Sequence, residues 1–260
     1  MQRATTALVL GGGGLFGAYE AGVWKALVGV FQPDMIVGAS IGALNGWAIA
    51  GGCPADEWIE EWLSLEAAVG QMRLRIPIGL FEGLFDSGPL QAYVQQLTRR
   101  FLPRIRFGAA VLSVRRLKTE VFWNEAITWR HLCASCGVPI FLKQYEIGGR
   151  RWADGGLLSA VPLQPAIAAG ATRIVAVNVL PTRAPAALRA ARGLLCAVAG
   201  YRPEPVPDEV EMLRIEPGDA LGNWRNAYIW DRQIIRSWIE RGRCDAERAL
   251  RAVEKLVVTN

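Results

Sequence analysis

The sequence predicts an α/β fold, a mainly parallel sheet covered by helices. Three observations carry this prediction. Short apolar runs alternate with helix-periodic segments from the N-terminus onward, the order that builds parallel strands with helical crossovers. Two of the strand-like runs end in glycine-rich turns that lead straight into helices, Gly11-Gly12-Gly13-Gly14 and Gly38-Ala39-Ser40-Ile41-Gly42. The 260 residues are 52% hydrophobic, with no low-complexity tract, internal repeat or charge block to divide them, which suits one domain over residues 1–260.

Taken in order, Ala7–Leu10 reads as a short buried strand. After the glycines, a helix is expected over about Phe16–Val30, with Val23, Ala26, Leu27 and Val30 on one face. Gln32-Pro33-Asp34 closes this unit. Met35-Ile36-Val37 is a second buried strand, and Ile41–Ala50 is the helix it enters through Ser40, ended by Gly51-Gly52. Ala55–Ser64 carries Trp58, Ile59, Trp62 and Leu63 at helical spacing. Residues 72–87, rich in Gly, Pro and large apolar side chains, are expected to be irregular, either a cover over a lipid site or an ordinary packed loop. Gly88-Pro89 opens a helix through Leu97, with proline in the first turn.

Phe107–Val114 and Thr119–Trp123 read as strands and Thr128–Cys136 as a helix. Tyr145-Glu146-Ile147, Gly148-Gly149 and Arg151-Trp152 give a hairpin pattern running into Asp154. A helix over Pro162–Ala169, a buried strand over Ile174–Val179 and a helix over Ala187–Ala199 follow. From about residue 230, Trp230–Val257 reads as one long helix. Its apolar face, with Ile234, Ile235, Trp238 and Ile239, is expected to dock on the body of the fold rather than lie on a membrane.

Composition narrows the function classes. The formal net charge is +5, with Arg far more frequent than Lys. This sign favours anionic lipid surfaces, but no stretch of sequence concentrates the cations, so neither a dedicated patch nor nucleic-acid binding is expected. Five cysteines without framework spacing do not make a disulfide scaffold. Cys133-Ala134-Ser135-Cys136 lacks the second pair or the histidines a zinc site needs, and no acidic cluster suits another metal, so no metal and no cofactor is expected. Met35–Gly52 is uncharged and near membrane-span length, but it holds Asn45 and several glycines, and a strand-turn-helix explains it better. The first apolar run is too short for a signal-peptide core. The expected location is cytoplasmic, with peripheral membrane contact or leaderless export as alternatives. No feature of the sequence specifies an oligomeric state.

The chemistry is concentrated in three short motifs. A glycine loop between strand and helix can cradle a phosphate or hold a carbonyl oxygen as it gains charge. Gly12-x-Gly14-x-x-Gly17 also fits a dinucleotide fingerprint with Asp34 some 20 residues on. In that fold the acid lies at the C-terminal end of the second strand, whereas Asp34 precedes its strand and the C-terminal end delivers Ser40. The dinucleotide reading is therefore set aside. Gly38-Ala39-Ser40-Ile41-Gly42 has the small residues that a strained serine elbow requires, and the Ile41 N–H is placed to face an oxyanion. The third component is a base. The chain has a single histidine, His131, which lies before Asp154 in a helical segment and is expected to be structural. Asp154, followed by Gly155 and Gly156, is the alternative base. A carboxylate serves there only if held against the hydroxyl in a partly dry site.

The run from Gly11 to Gly22, the elbow around Ser40 and Asp154-Gly155-Gly156, in this order, resemble the patatin-like phospholipase family over Leu8 to about Val179. Gly137-Val138-Pro139 and Ser87-Gly88-Pro89-Leu90 look similar to the family as well. The resemblance implies a three-layer α/β/α sandwich and a Ser40–Asp154 dyad without a catalytic histidine. It implies an oxyanion hole from the amides of Gly12, Gly13 and Gly14, beside that of Ile41, with Gly17, Gly38, Gly42, Gly155 and Gly156 as supporting positions. The activity implied is hydrolysis of carboxylic esters of lipids; acyl transfer on the same site and lipid binding without catalysis are the alternatives. One position departs: the family usually has Arg or Lys where this chain has Phe16.

Overall fold

The computed structural model describes residues 4–66, 73–74, 76–77, 79, 81–180 and 186–258. Its strands are β1 (Thr6–Leu10), β2 (Met35–Ala39), β3 (Arg106–Ser113), β4 (Lys118–Trp123), β5 (Tyr145–Ile147), β6 (Arg150–Asp154), β7 (Arg173–Val177) and β8 (Glu211–Ile215). The helices are α1 (Ala18–Leu27), α2 (Ile41–Ala50), α3 (Ala55–Ser64), α4 (Gly88–Arg100), α5 (Trp129–Ser135), α6 (Leu163–Ala168), α7 (Ala186–Ala199) and α8 (Arg232–Val258). The sheet runs β5-β6-β3-β2-β1-β7-β8, with β4 paired to β3 off this path. The ladders joining β3, β2, β1, β7 and β8 are parallel, and those made by β4, β5 and β6 are antiparallel.

One feature of the register positions the site. Residues 108–110 of β3 pair with both β4 and β2, and residues 111–113 pair with both β4 and β6. Because β4 occupies one edge throughout, β2 and β6 must share the other. There β2 runs up to Ala39 opposite Ala110, while β6 runs down to Asp154 opposite Val111. The two strands meet end to end, which brings Ser40, the residue after Ala39, to Asp154. A hairpin turn with positive φ at Gly148 (60°) and Gly149 (69°) reverses the chain from β5 into β6, as a two-glycine turn of this hand requires.

Helices cover both faces. Leu8, Leu10, Ile36, Phe107, Ala109 and Val111 face a large core with Trp24, Leu27, Trp47, Trp58, Trp62 and Trp238. The alternate residues Ala7, Val9, Met35, Val37, Ile174 and Ala176 pack against Ala166 of α6. Leu112 and Ala153, on this second face, pack with Leu158 against Leu195, Cys196 and Ala199 of α7. This is the expected sandwich. The long terminal helix docks as anticipated, with Ile235, Trp238 and Ile239 buried. Its backbone meets that of α1 so closely that a Cβ at Gly22 would strike the Ile239 carbonyl and one at Gly242 the Tyr19 carbonyl.

The differences from expectation are local. The first helix opens with a 3-10 turn over Gly14–Gly17 before α1 begins. The helix opened by Pro89 continues to Arg100, three residues past Leu97. Strand β8 and a 3-10 turn at Trp224–Ala227 were not anticipated. In the segment 72–87, residues 72, 75, 78 and 80 lie outside those described, and the rest carries an isolated bridge from Leu74 to Phe85. Among the described residues, no helix is long and apolar enough to cross a membrane.

Candidate active site

Ser40 caps the N-terminus of α2 with φ 54° and ψ −126°, a conformation that costs a non-glycine residue about 1–3 kcal/mol. The turn is possible because its flanks have no side chains. A Cβ at Gly38 would collide with the Gly42 carbonyl, and one at Gly42 would lie 2.5 Å from the Leu10 and Gly11 carbonyls. Ser135, fully buried at the end of α5, holds the elbow: its Oγ accepts the Ser40 N–H at 2.8 Å and donates to the Ala110 carbonyl at 2.7 Å.

Asp154 ends β6, buried, with the Ser40 hydroxyl beside its carboxylate, which accepts the Gly156 N–H at 2.7 Å. Burial pushes the carboxyl up to about 6, against the opposing pull of those two donors. Gly155 passes so near the Ala110 carbonyl that no Cβ fits there. The Cys136 thiol lies beside both Ser40 and Asp154; burial first, then the Asp154 charge, hold it well above the usual thiol range. It is an un-ionised neighbour. His131 sits elsewhere, buried against Phe122 with ring centroids 4.2 Å apart, its Nδ1 accepting the Thr128 N–H at 3.0 Å to cap α5. Burial lowers its pKa.

The glycine loop runs past Ser40, with Gly12 nearest: a Cβ there would lie 3.1 Å from Ser40 Cβ. The Gly12 N–H, expected to face the oxyanion, instead donates to the Ala160 carbonyl at 2.8 Å, as the Gly11 N–H does to Val177 at 3.1 Å. Among the described residues no hydrogen bond occupies the N–H of Gly13, Gly14 or Ile41. Gly14, at φ 60°, lies under the Ala227 carbonyl, and Gly17 abuts the Ile41 side chain. Phe16 is 3% exposed and packs edge-on against Trp238 at 4.9 Å.

Beneath the loop lies a buried polar network that the sequence did not reveal. Asn45 Nδ2 donates to the Gly17 carbonyl (2.9 Å) and to Glu20 Oε2 (2.6 Å), and its Oδ1 accepts the indole N–H groups of Trp58 (2.9 Å) and Trp62 (3.0 Å). Burial pushes the Glu20 carboxyl up to about 8, and its Oε1 has no partner. Asn45, a lone amide in an uncharged run, was the only visible signal of this network. Ser135 was hidden inside what read as a cysteine pair. Asp34 locks the opposite end of the sheet, accepting from Thr6 N and Oγ1 at 2.8 Å, so it has no part in the site. Among the described residues no group of three or more His, Cys, Asp and Glu side chains is gathered for a metal.

The patatin-like phospholipase family model matches residues 8–167. Patatin-like phospholipase domain-containing protein 7 from Rattus norvegicus is 28% identical over 186 residues, and its counterpart from Mus musculus is 28% identical over 187. Each match covers 66% of this chain, which spans only 13% of the length of either relative. The crystal structure of VipD from Legionella pneumophila shares the fold, with a TM-score of 0.57 over 96% of this chain and 67% of that one, at 12% identity. With more than half its length matched by the family model, this chain belongs to the patatin-like phospholipase family.

Proposed function

We propose that the protein is a serine acyl hydrolase that cleaves carboxylic esters of lipids with Ser40 as nucleophile and Asp154 as base. The observation that carries this reading is the end-to-end meeting of β2 and β6, which sets the strained Ser40 hydroxyl against a buried carboxylate. As Ser40 Oγ attacks the ester carbonyl, Asp154 takes its proton. The charge gathering on the carbonyl oxygen falls to the N–H groups of Gly13, Gly14 and Ile41, with Gly12 shaping the loop. Collapse expels the alcohol, which takes the proton from Asp154, and leaves an acyl-serine. Water, deprotonated by Asp154, then attacks it; a second collapse returns the proton to Ser40 and releases the acid. A carboxyl near 6 is a stronger base than an ordinary aspartate, which reduces the mismatch with an alcohol.

The surroundings suit a lipid ester. Phe141 stacks on Tyr228 (5.7 Å between centroids) and on Phe85 (6.4 Å), and burial first, then the Asp154 charge, hold the Tyr228 hydroxyl up. This aromatic cover continues outward to Ile140, 70% exposed, and Ile229, 61% exposed. Apolar side chains in that position offer contact to acyl chains at a lipid surface.

Labelling with a fluorophosphonate, read by intact mass, tests the site. A single adduct on the wild-type protein and none on Ser40→Ala, with phospholipid hydrolysis lost in Asp154→Asn, is the expected result. An adduct that persists in Ser40→Ala, or hydrolysis that survives Asp154→Asn at the wild-type rate, would refute the assignment.

A further inference from the structure

On the second face of the sheet, the chain encloses a cleft of about 1020 Å³. Neither Ser40 nor Asp154 lines it; Ala160 and Leu180 separate it from the glycine loop. Its lining is strongly cationic. Lys118, Arg189, Arg192, Arg202 and Arg214 border it, against a single carboxylate, Glu204. Among the described residues none of these five cations forms an ion pair. They come from β4, α7, the 200–206 segment and β8, far apart in the sequence, which is why no stretch of sequence showed a patch. The frame is fixed before any ligand arrives: Arg192 Nη2 donates to the Leu158 carbonyl at 2.9 Å, and Gln164 Nε2 donates to the Glu204 carbonyl at 3.1 Å.

We infer that this cleft binds a phosphate-bearing anion, a phosphomonoester or diphosphate group. Several like charges held around one space repel one another, and a multiply charged anion relieves that repulsion. Guanidinium groups match phosphate oxygens with paired, charge-assisted hydrogen bonds. The cleft floor, with Leu158, Leu163 and Ala176, is apolar. The shared chemistry fits a free phosphate compound or a lipid headgroup. The helix that supplies Arg189 and Arg192 also exposes Leu194 and Val198 one turn apart, on the side away from the core, where they would meet acyl chains if the phosphate were lipid-borne.

The test uses the Ser40→Ala protein, so that the result does not depend on catalysis. Calorimetric titration with inorganic pyrophosphate measures the free form, and co-sedimentation with phosphatidylcholine vesicles with or without phosphatidic acid measures the lipid-borne form. Arg202→Gln and Arg214→Gln, both at exposed positions, are added singly and together, with Arg99→Gln on α4 as a distant control; thermal melts check that each variant folds. Saturable binding of either probe is expected, weakened about tenfold for each cation removed and unchanged by Arg99→Gln. Binding of the vesicles but not of pyrophosphate assigns the lipid-borne form; binding of both assigns the phosphate group itself. Absence of saturable binding to both probes overturns the proposal, as does binding that Arg202→Gln/Arg214→Gln leaves intact or that Arg99→Gln weakens equally.

Discussion

Ser135→Ala tests how the serine elbow is held. The substitution removes one oxygen that accepts the Ser40 N–H at 2.8 Å and donates to the Ala110 carbonyl at 2.7 Å, at a position with no exposure to solvent. The Ser40 amide then has no partner, and an orphaned buried donor costs about 1–3 kcal/mol. For a chain of this size that corresponds to a fall in Tm of roughly 3–9 °C. The effect reaches the nucleophile because the elbow carries strain: the hydrogen bond opposes the return of Ser40 from φ 54° to a relaxed conformation. If Ser40 relaxes, its Oγ leaves Asp154, and a displacement on the order of 1 Å costs about 100-fold in turnover. Calorimetry and the rate of fluorophosphonate labelling read the two effects separately. A variant that melts within about 1 °C of wild type and labels at the wild-type rate would show that the Ser135 bridge does not hold the nucleophile.

Three further outcomes follow from the same geometry. Burial holds the Asp154 carboxyl near 6, so the base is protonated and idle below that pH; kcat/KM should rise with pH through about 6 by roughly a decade per unit, and an acid limb near 4 would contradict the buried-base assignment. His131→Ala removes the cap on Thr128 and the buried ring packed on Phe122, so it should lower stability by about 2–4 kcal/mol and leave most ester turnover in the folded protein; turnover as low as that of Ser40→Ala would refute the two-residue site. Glu20, held near 8, binds its proton more tightly in the folded state than in the unfolded state, where its pKa is 4.5, so its contribution to stability is full below about pH 4.5 and declines as the pH rises towards 8. At pH 7 that cost is about 3 kcal/mol, so Glu20→Gln should raise Tm at neutral pH and flatten its decline between about pH 5 and 8; an unaltered slope in thermal melts across this range would exclude Glu20 as its source.

Several parts of this molecule were legible as sequence because they depend on absent side chains. The elbow needs Gly38 and Gly42, since their backbones nearly touch, and the β5–β6 turn needs two residues at positive φ; both requirements leave glycine in the text. The docking of α8 was legible too, from Ile235, Trp238 and Ile239 at helical spacing. The remaining features depend on register or on distant partners. No local pattern states that β2 and β6 share one edge of β3, although that arrangement is what unites Ser40 with Asp154. Strand β8 lies some 33 residues beyond β7 and mixes Glu and Arg with Met, Leu and Ile, a pattern set by its place at the sheet edge. The five cations of the cleft are separated by up to 96 residues, and only the fold gathers them. The hydrogen bond of the Gly12 amide is hidden for a similar reason: its partner, Ala160, is 148 residues away.

The position of Phe16 joins the two ends of the chain in one account. The family model ends at residue 167, yet the supports of the glycine loop lie largely beyond it. Val179 closes the space beside Gly13, the Ala227 carbonyl closes it above Gly14, and Trp238 takes the ring of Phe16. A cation in place of Phe16 would lose its hydration against an indole at 3% exposure, and such a loss is costly. An aromatic ring is the group that this environment accepts. The departure from the family's usual basic residue is therefore matched by Trp238 on α8, whose backbone is pressed against α1 at Gly22 and Gly242. The loop is clamped between the C-terminal end of β7 at Val177–Val179 and the terminal helix. The geometry of Gly13 and Gly14 thus depends on residues more than 160 positions further along the chain.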